Sequence, residues 1–392
     1  IIKNKINVLN KRIGNGFIIN EGDGTVDNPY LIETVNDLVF FRDRVNGGNN
    51  YAGKYVKLDA DIDLSSIENW TPIGDITYNN KYQPADNDKV FSGVFNGNDK
   101  VISNLKIEKI IDEDPDTDAN VGLFGITGKG AVIKNLTLTN VDIKTSGRNV
   151  GALAGFAYMA TLDSITVNGD IKIEGGNNVS GVAGMTRYYA MSATGISVIG
   201  NDGSAIVGNN IVGGIFAEIA PNGSEQTFKG LNVENVAITG VGGVGGIVGL
   251  LTTGTVENVS VKNVALTGRT DYQGNAMGRI RLGSVAGLMG GKYATIANEV
   301  IDNVTAKNLD GNAVELPVIG ANYDAASNAT EAKIGNKYYA TLDAALAVEG
   351  NEVELLVPVT VAKDETRVLD LKGKTVSHSK ACTASYEMIK NL

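Results

Sequence analysis

Short stretches of alternating apolar and polar residues recur along the middle of the chain, each bounded by residues that favour turns. Every copy starts with Asn, Ser or Gly, has Leu, Ile or Val in second place, and ends with Asn or Gly. The copies span residues 135–140, 164–169, 195–200, 230–235, 258–263 and 303–308. Asn and Gly tolerate left-handed backbone angles better than other residues do. The pattern therefore predicts a short strand between two corners in every copy.

Glycine-rich apolar segments precede these copies at a regular interval. The first three segments begin at residues 121, 150 and 179, a step of 29 residues. Each is followed by one copy of the six-residue pattern and usually by a further alternating strand. Three short strands per turn, with about 30 residues per turn, are typical of a chain that coils and stacks on itself. We predict an all-β fold, a right-handed parallel β-helix.

A short amphipathic helix is predicted ahead of the repeats. Thr34 can cap it, and the apolar residues that follow fall on one face. Such a helix would cover the open strand edge of the first coil. Residues 54–65 then alternate as one strand with three aspartates on its outer face, and residues 90–108 read as two strands joined by an Asn-Gly-Asn turn.

The end of the chain repeats the order of helix, strand and strand. Thr341 can cap a second short helix, and two strand-like segments follow it. We therefore divide the chain into a leader of unclear structure at residues 1–20, a solenoid at residues 21–330, and the start of a second β-helix-like module at residues 331–392.

The bulk composition excludes several functions. The net charge is −10 and basic residues are not clustered, so the chain lacks the positive surface that nucleic acids require. Apolar runs are too short for a membrane span. Cys and His occur once each, as Cys382 and His378. Their position after the repeats excludes a catalytic site based on either residue within the repeat body.

Four features occur in a fixed order along the chain: the opening residues 24–32, the Asp-rich strand, the motif at residues 70–74 and the glycine segments. In these features the chain resembles the GLUG-motif repeat proteins of bacterial cell surfaces. The resemblance covers residues 22–310, and residues 337–376 look like the start of another secreted β-helix module. It implies an extracellular location, secreted or at the bacterial cell surface, within a larger parent protein. It also implies a non-catalytic role in adhesion or as a spacer, with a host or matrix glycan or protein as partner.

An acidic run is the candidate metal site. Asp112, Asp114, Asp116 and Asp118 occupy alternate positions in an insertion between two coils. The run lacks the Gly and Glu that an EF-hand loop requires, so we predict at most a loose calcium site, with a solvated loop as the alternative. No other cofactor is expected.

Two groups of aromatic residues are candidates for ligand binding. Tyr78 and Tyr82 share one polar loop, and Tyr188 and Tyr189 are adjacent further along the chain. Tyrosine rings can stack on the apolar faces of sugars, so Tyr78 and Tyr82 are the predicted glycan-binding residues. The alternative function is a carbohydrate-active enzyme, a polysaccharide lyase or glycoside hydrolase, which would need carboxylates with Lys or Arg in a groove on one wall.

Overall fold

The computed structural model describes residues 22–111, 114–188, 191–221, 226–269, 281–291, 293–322, 332–348, 352–356 and 375–378. The predicted leader at residues 1–20 lies outside these ranges. Within them the chain is mostly β, and its strands form three sheets. We call these sheets the first, second and third walls.

The first wall contains the strands that carry the six-residue pattern. Its parallel strands are Tyr30–Ile32, Tyr55–Leu58, Ile62–Asp63, Val94–Lys109, Val132–Thr145, Thr161–Glu174, Ser192–Gly200, Ala205–Val207, Thr227–Glu234, Ala237–Thr239, Gly254–Lys262, Ala265–Gly268, Ala294–Asp302 and Thr305–Asn308. Every pairing among these strands is parallel. This arrangement is what a chain that stacks coil upon coil requires.

The other two walls are built from the glycine-rich segments. The second wall consists of Asp118–Val121, Arg148–Val150, Val179–Ser180, Val212–Gly213, Val244–Gly245 and Leu282–Gly283. The third wall consists of Phe124–Ile126, Ala154–Tyr158, Ala183–Arg187, Phe216–Ala220, Val248–Leu251, Ala286–Met289 and Ile319–Asn322. The three walls together form a solenoid-like stack, which confirms the predicted parallel β architecture.

Coils of unequal length keep the same register. The register partners Leu136, Ile165, Ile196, Leu231 and Val259 follow one another after 29, 31, 35 and 28 residues. All five side chains are buried in one continuous apolar core. The core therefore selects which residues align, and the extra residues of the longer coils lie outside the aligned columns.

The predicted corners are present at the start of the repeated pattern. Asn135, Ser164, Gly195, Gly230 and Asn258 all have φ between 51° and 65°. The copy assigned to residues 303–308 was wrong, because the register places residues 298–303 at this level of the stack. Its second position is Glu299, which a pattern demanding Leu, Ile or Val could not find.

Two other predicted elements differ in detail. Residues 90–108 do not form a hairpin, because Val94–Lys109 is one strand with a register shift between Asn96 and Lys100. At Gly97, a Cβ would lie 2.3 Å from the Asn135 carbonyl oxygen, so glycine permits this close approach. Residues 54–65 form two short strands and a 3-10 turn (Leu64–Ser66) instead of one strand, although the three aspartates are exposed as predicted.

The N-terminal helix closes the first end of the stack. It spans Val35–Asn46, and Thr34 caps it in a reciprocal capping box with Asp37. Its buried face packs into the main core, where the Phe41 and Phe91 rings meet edge to face at 5.4 Å. A second 3-10 turn, Asn87–Lys89, lies nearby. None of the helices in the described ranges combines the length and apolar character needed to cross a bilayer.

The last described segments have a small apolar core of their own. Ala332–Ile334 and Lys337–Tyr339 form an antiparallel pair, and the helix Leu342–Leu346 follows. The Thr341 hydroxyl accepts a hydrogen bond from the Ala344 N–H, as expected of a capping residue. The strands Glu352–Leu355 and Thr375–His378 then pair in parallel. The start of a second β-helix here stays a prediction.

Candidate functional site

A second layer of apolar side chains lies on the third wall, separate from the main core. Ile126, Phe156 and Met185 are register partners on neighbouring strands, and all three are buried. They are covered in part by residues 75–88, whose Tyr78 and Tyr82 pack against this cluster. The loop is therefore held against the third wall by its aromatic residues.

The two predicted ligand-binding tyrosines lie together. The ring centroids of Tyr78 and Tyr82 are 5.2 Å apart, and Tyr78 meets Phe156 edge to face at 5.8 Å. A guanidinium group lies near each tyrosine: Arg148 is 5.6 Å from the Tyr78 centroid and Arg187 is 4.3 Å from the Tyr82 centroid. Cation–π attraction thus fixes both rings in place.

The Tyr78 hydroxyl is buried and has no hydrogen-bond partner of good geometry among the described residues. Burial, and then the neighbouring Asp118 carboxylate, raises the pKa of Tyr78 well above its ordinary value. Burial alone would lower the pKa of Arg148, but its hydrogen bond and charge interaction with Asp118 raise it instead. Tyr78 is therefore a neutral phenol beside a permanent ion pair.

Tyr188 joins this group from another coil. Its hydroxyl donates a hydrogen bond to the carbonyl of Lys81, 107 residues earlier in the chain, and its ring lies 5.3 Å from that of Tyr158. Tyr188 and Tyr82 both have left-handed backbones, with φ of 77° and 54°. Bulky residues rarely adopt this conformation, and where they do the site is often functional. We call Tyr78, Tyr82, Tyr158, Arg187 and Tyr188 the tyrosine–arginine patch.

A buried carboxylate fixes the arginine of the patch. An Nη atom of Arg187 lies 2.7 Å from Oε1 of Glu218, whose side chain is only 9% exposed. The Asn178 side-chain amide donates to the other carboxylate oxygen at 3.3 Å. A buried carboxylate requires a charged partner and hydrogen bonds, and Glu218 has both. This geometry holds Arg187 in a defined direction.

A cavity of about 480 Å³ lies beside this ion pair. Arg187, Tyr188 and Glu218 line one part of it, and Leu250 and Thr252 line another. The volume falls within the range of about 300–1,000 Å³ that small-molecule sites occupy. Aromatic, apolar and hydrogen-bonding groups therefore converge on a space large enough for a sugar unit.

The acidic run contributes to this region through ion pairs. Asp118 accepts a hydrogen bond from Arg148 at 2.7 Å, and Asp116 accepts one from the Asn177 amide. Asp114 accepts the backbone N–H of Asp116, while Asp112 lies outside the described residues. In the described part of the chain, acidic, His and Cys side chains form no group of three or more arranged to hold a metal ion. The calcium site stays a prediction.

A charged groove of about 680 Å³ crosses the outer face of the first wall. We call it the charged groove and define it by the charged residues that line it, Glu68, Lys106, Glu108, Asp142, Asp170 and Lys172. Asp142 is the register partner of Lys106 on one neighbouring strand and of Lys172 on the other. Carboxylates and lysines therefore alternate from coil to coil, and one groove contains both residue types that the alternative enzymatic function would need.

Comparisons with known proteins give partial matches. No family model matches the chain, so the GLUG resemblance stays a prediction. The chain is 33% identical over 178 residues to Halomucin of Haloquadratum walsbyi. This match covers 43% of this chain and 2% of Halomucin. It is 34% identical over 154 residues to a protein of Evansella cellulosilytica named "Putative Gly-rich membrane protein", covering 37% of this chain and 15% of that protein. The chain thus spans a small part of both relatives.

One solved structure is similar in outline. It is named as a "putative immunoglobulin A1 protease" from Bacteroides ovatus, with a TM-score of 0.47 and 17% sequence identity. The match covers 76% of this chain and 82% of that one.

Proposed function

We propose that this chain is a non-catalytic β-solenoid module of a larger protein, secreted or exposed at a bacterial cell surface, where it binds glycans during adhesion. The finer description of the fold that we propose is a right-handed parallel β-helix of the GLUG type. The observation that carries the binding role is the tyrosine–arginine patch beside its cavity, where Arg187 and Glu218 are already oriented. The names of the two relatives, a mucin-like name and a membrane protein, support a surface location.

A glycan array probed with the whole chain tests this function, followed by titration of the best glycan. Tyr188→Ala should weaken binding by about 5-fold, since aromatic contacts contribute on the order of 1 kcal/mol each. Tyr293→Ala is the matched control, because Tyr293 is 50% exposed and does not line the patch cavity; it should bind as the unaltered chain does. If no glycan bound, adhesion through sugars would be excluded and a spacer role would replace it.

A carbohydrate-active enzyme is the second candidate function, and the charged groove is the observation that favours it. A lyase needs a basic group and a hydrolase needs two carboxylates, and the groove contains both residue types. Incubation with a panel of polysaccharides, followed by measurement of reducing ends and unsaturated products, tests this function. Product release that Asp142→Asn or Lys172→Ala abolishes would contradict the non-catalytic proposal.

A further inference from the structure

One edge of the charged groove is formed by residues 65–69, which we call its rim, and hydrogen bonds hold this rim against the strands of the first wall. Asn69 clamps the rim to the groove floor through two hydrogen bonds, donating to the Glu108 carbonyl at 2.9 Å and accepting the Glu108 N–H at 3.0 Å. The backbone N–H of Trp70 also donates to the Lys106 carbonyl at 2.8 Å. A ligand therefore meets a preformed groove, which lowers the entropic cost of binding.

The groove floor runs across three successive coils. It is formed by Val94–Lys109, Val132–Thr145 and Thr161–Glu174, which are neighbours in the first wall. Neighbouring strands lie about 4.8 Å apart, a distance close to the length of one pyranose unit in an extended polysaccharide. Polar groups thus recur along the stack axis at the step of such a polymer.

The charges of the groove indicate which polymer fits. Four carboxylates and two ammonium groups line it, which gives a formal charge of −2 at neutral pH. Within the part of the chain that the structure describes, these six side chains form no ion pair within 4 Å. Asp170 accepts one hydrogen bond from the Asn201 side-chain amide at 3.1 Å, which leaves the other lone pairs of its carboxylate for a ligand. The net charge of the groove favours amines over carboxylates or sulfates.

We propose that the charged groove binds a linear, amine-bearing polysaccharide aligned with the axis of the stack. The carboxylates of Asp142 and Asp170 pair with sugar amines, and Lys106 and Lys172 donate to hydroxyl or ring oxygens. The proposal rests on the proposed glycan-binding function of the module, but it uses a different wall and different residues from the tyrosine–arginine patch.

Calorimetric titration of the whole chain with three hexasaccharides tests the specificity. The probes are the glucosamine hexamer with free amines, its fully N-acetylated form, and the galacturonic acid hexamer. We expect the free-amine hexamer to bind at least 10-fold more tightly than the acetylated form, and the galacturonic acid hexamer to bind most weakly. Equal affinity for all three, or no binding of the free-amine hexamer, would overturn the proposal.

Two variants locate the site. Asp142→Asn should weaken binding of the free-amine hexamer by at least 5-fold, and the fold should persist because the Asp142 side chain is exposed. Asp202→Asn is the matched control, since Asp202 is also exposed but lies outside the groove. Loss of binding in Tyr188→Ala with full binding in Asp142→Asn would disprove the groove site and leave glycan binding at the patch intact.

Discussion

The early and late coils share one interior but differ in one set of register positions on the outer face of the first wall. In the early coils the outward register partners are charged, namely Lys106, Glu108, Asp142, Lys144, Lys172 and Glu174. In the next coils the same positions hold small or uncharged residues, namely Ala205, Val207, Ala237, Thr239, Ala265 and Thr267. Between these positions the inward residues stay aliphatic and buried, from Ile143 and Ile173 to Ile206 and Ile238.

The corner that leads into the second wall shows the same division. In the early coils Asn120, Asn149 and Asn178 form a ladder, in which each side-chain amide donates to the one before it at 3.0 and 3.4 Å. In the next coil Ile211 takes this place, and an apolar cluster with Leu250 replaces the amides. The apolar core is common to both regions, so the positions outside that core can differ from coil to coil.

Substitutions in the shared interior should have the largest effect and should not depend on the region. Ile143→Ala in the early coils and Ile238→Ala in the late coils should each lower the free energy of unfolding by about 2–5 kcal/mol, because both remove fully packed side chains. Urea denaturation measures both values. A loss below about 1 kcal/mol at either position would show that the two regions do not share one core.

The asparagine ladder should be the next most sensitive feature. Asn149 is fully buried, with φ of 65°. Asn149→Ala would remove its hydrogen bonds to Asn120 and Asn178 and strain the backbone, at a cost of about 2–4 kcal/mol. Asn263 also has a left-handed backbone, but it is exposed. The Asn263 side chain also bonds to Asn235 and Asn303, at 3.0 and 2.8 Å, but these hydrogen bonds are exposed to solvent. For Asn263→Ala we therefore expect a smaller loss of about 1–2 kcal/mol, mainly the conformational cost. Thermal denaturation measures the stability of both variants. Equal losses of stability would argue against a special role of the buried ladder.

Surface charge at the compared positions should have the smallest effect, and only in the early coils. Lys144→Glu would place three carboxylates in one column, because Glu108 and Glu174 are the register partners of Lys144. We expect the free energy of unfolding to fall by about 0.2–1 kcal/mol. Added salt should reduce this loss, because exposed charges are screened. Ala237→Glu is the control, since its register partners Ala205 and Ala265 are neutral. A similar salt-dependent loss in the control would contradict the distinction between the regions.

Much of the fold followed from local chemistry. Left-handed corners at Asn and Gly and the capping box at Thr34 are local features, so the sequence predicted them correctly. The bulge near Gly97 and the register of the coil containing Glu299 depend on which neighbouring strand each residue meets. Sequence patterns could not supply that information, because alternation looks the same in a hairpin and in a bulged strand.

The candidate site was predicted in separate pieces. Tyr78, Tyr82 and Tyr188 were all noted as aromatic residues, but only the stacking of coils brings Tyr188 to the loop that carries the other two. Arg187 and Glu218 were missed, since they lie 31 residues apart and meet through the register of two neighbouring strands. Arg187 directly precedes a tyrosine pair, which was the one local signal available.

The constant register of unequal coils makes each coil a replaceable unit of length. Removing residues 165–195 would place Ile196 where Ile165 now lies, so the inner column would continue without interruption. The shortened rod would lose about 4.8 Å, while the helix Val35–Asn46 would still close its first end. A chain of this kind can be lengthened or shortened in whole steps by duplication or deletion, without redesign of its interior.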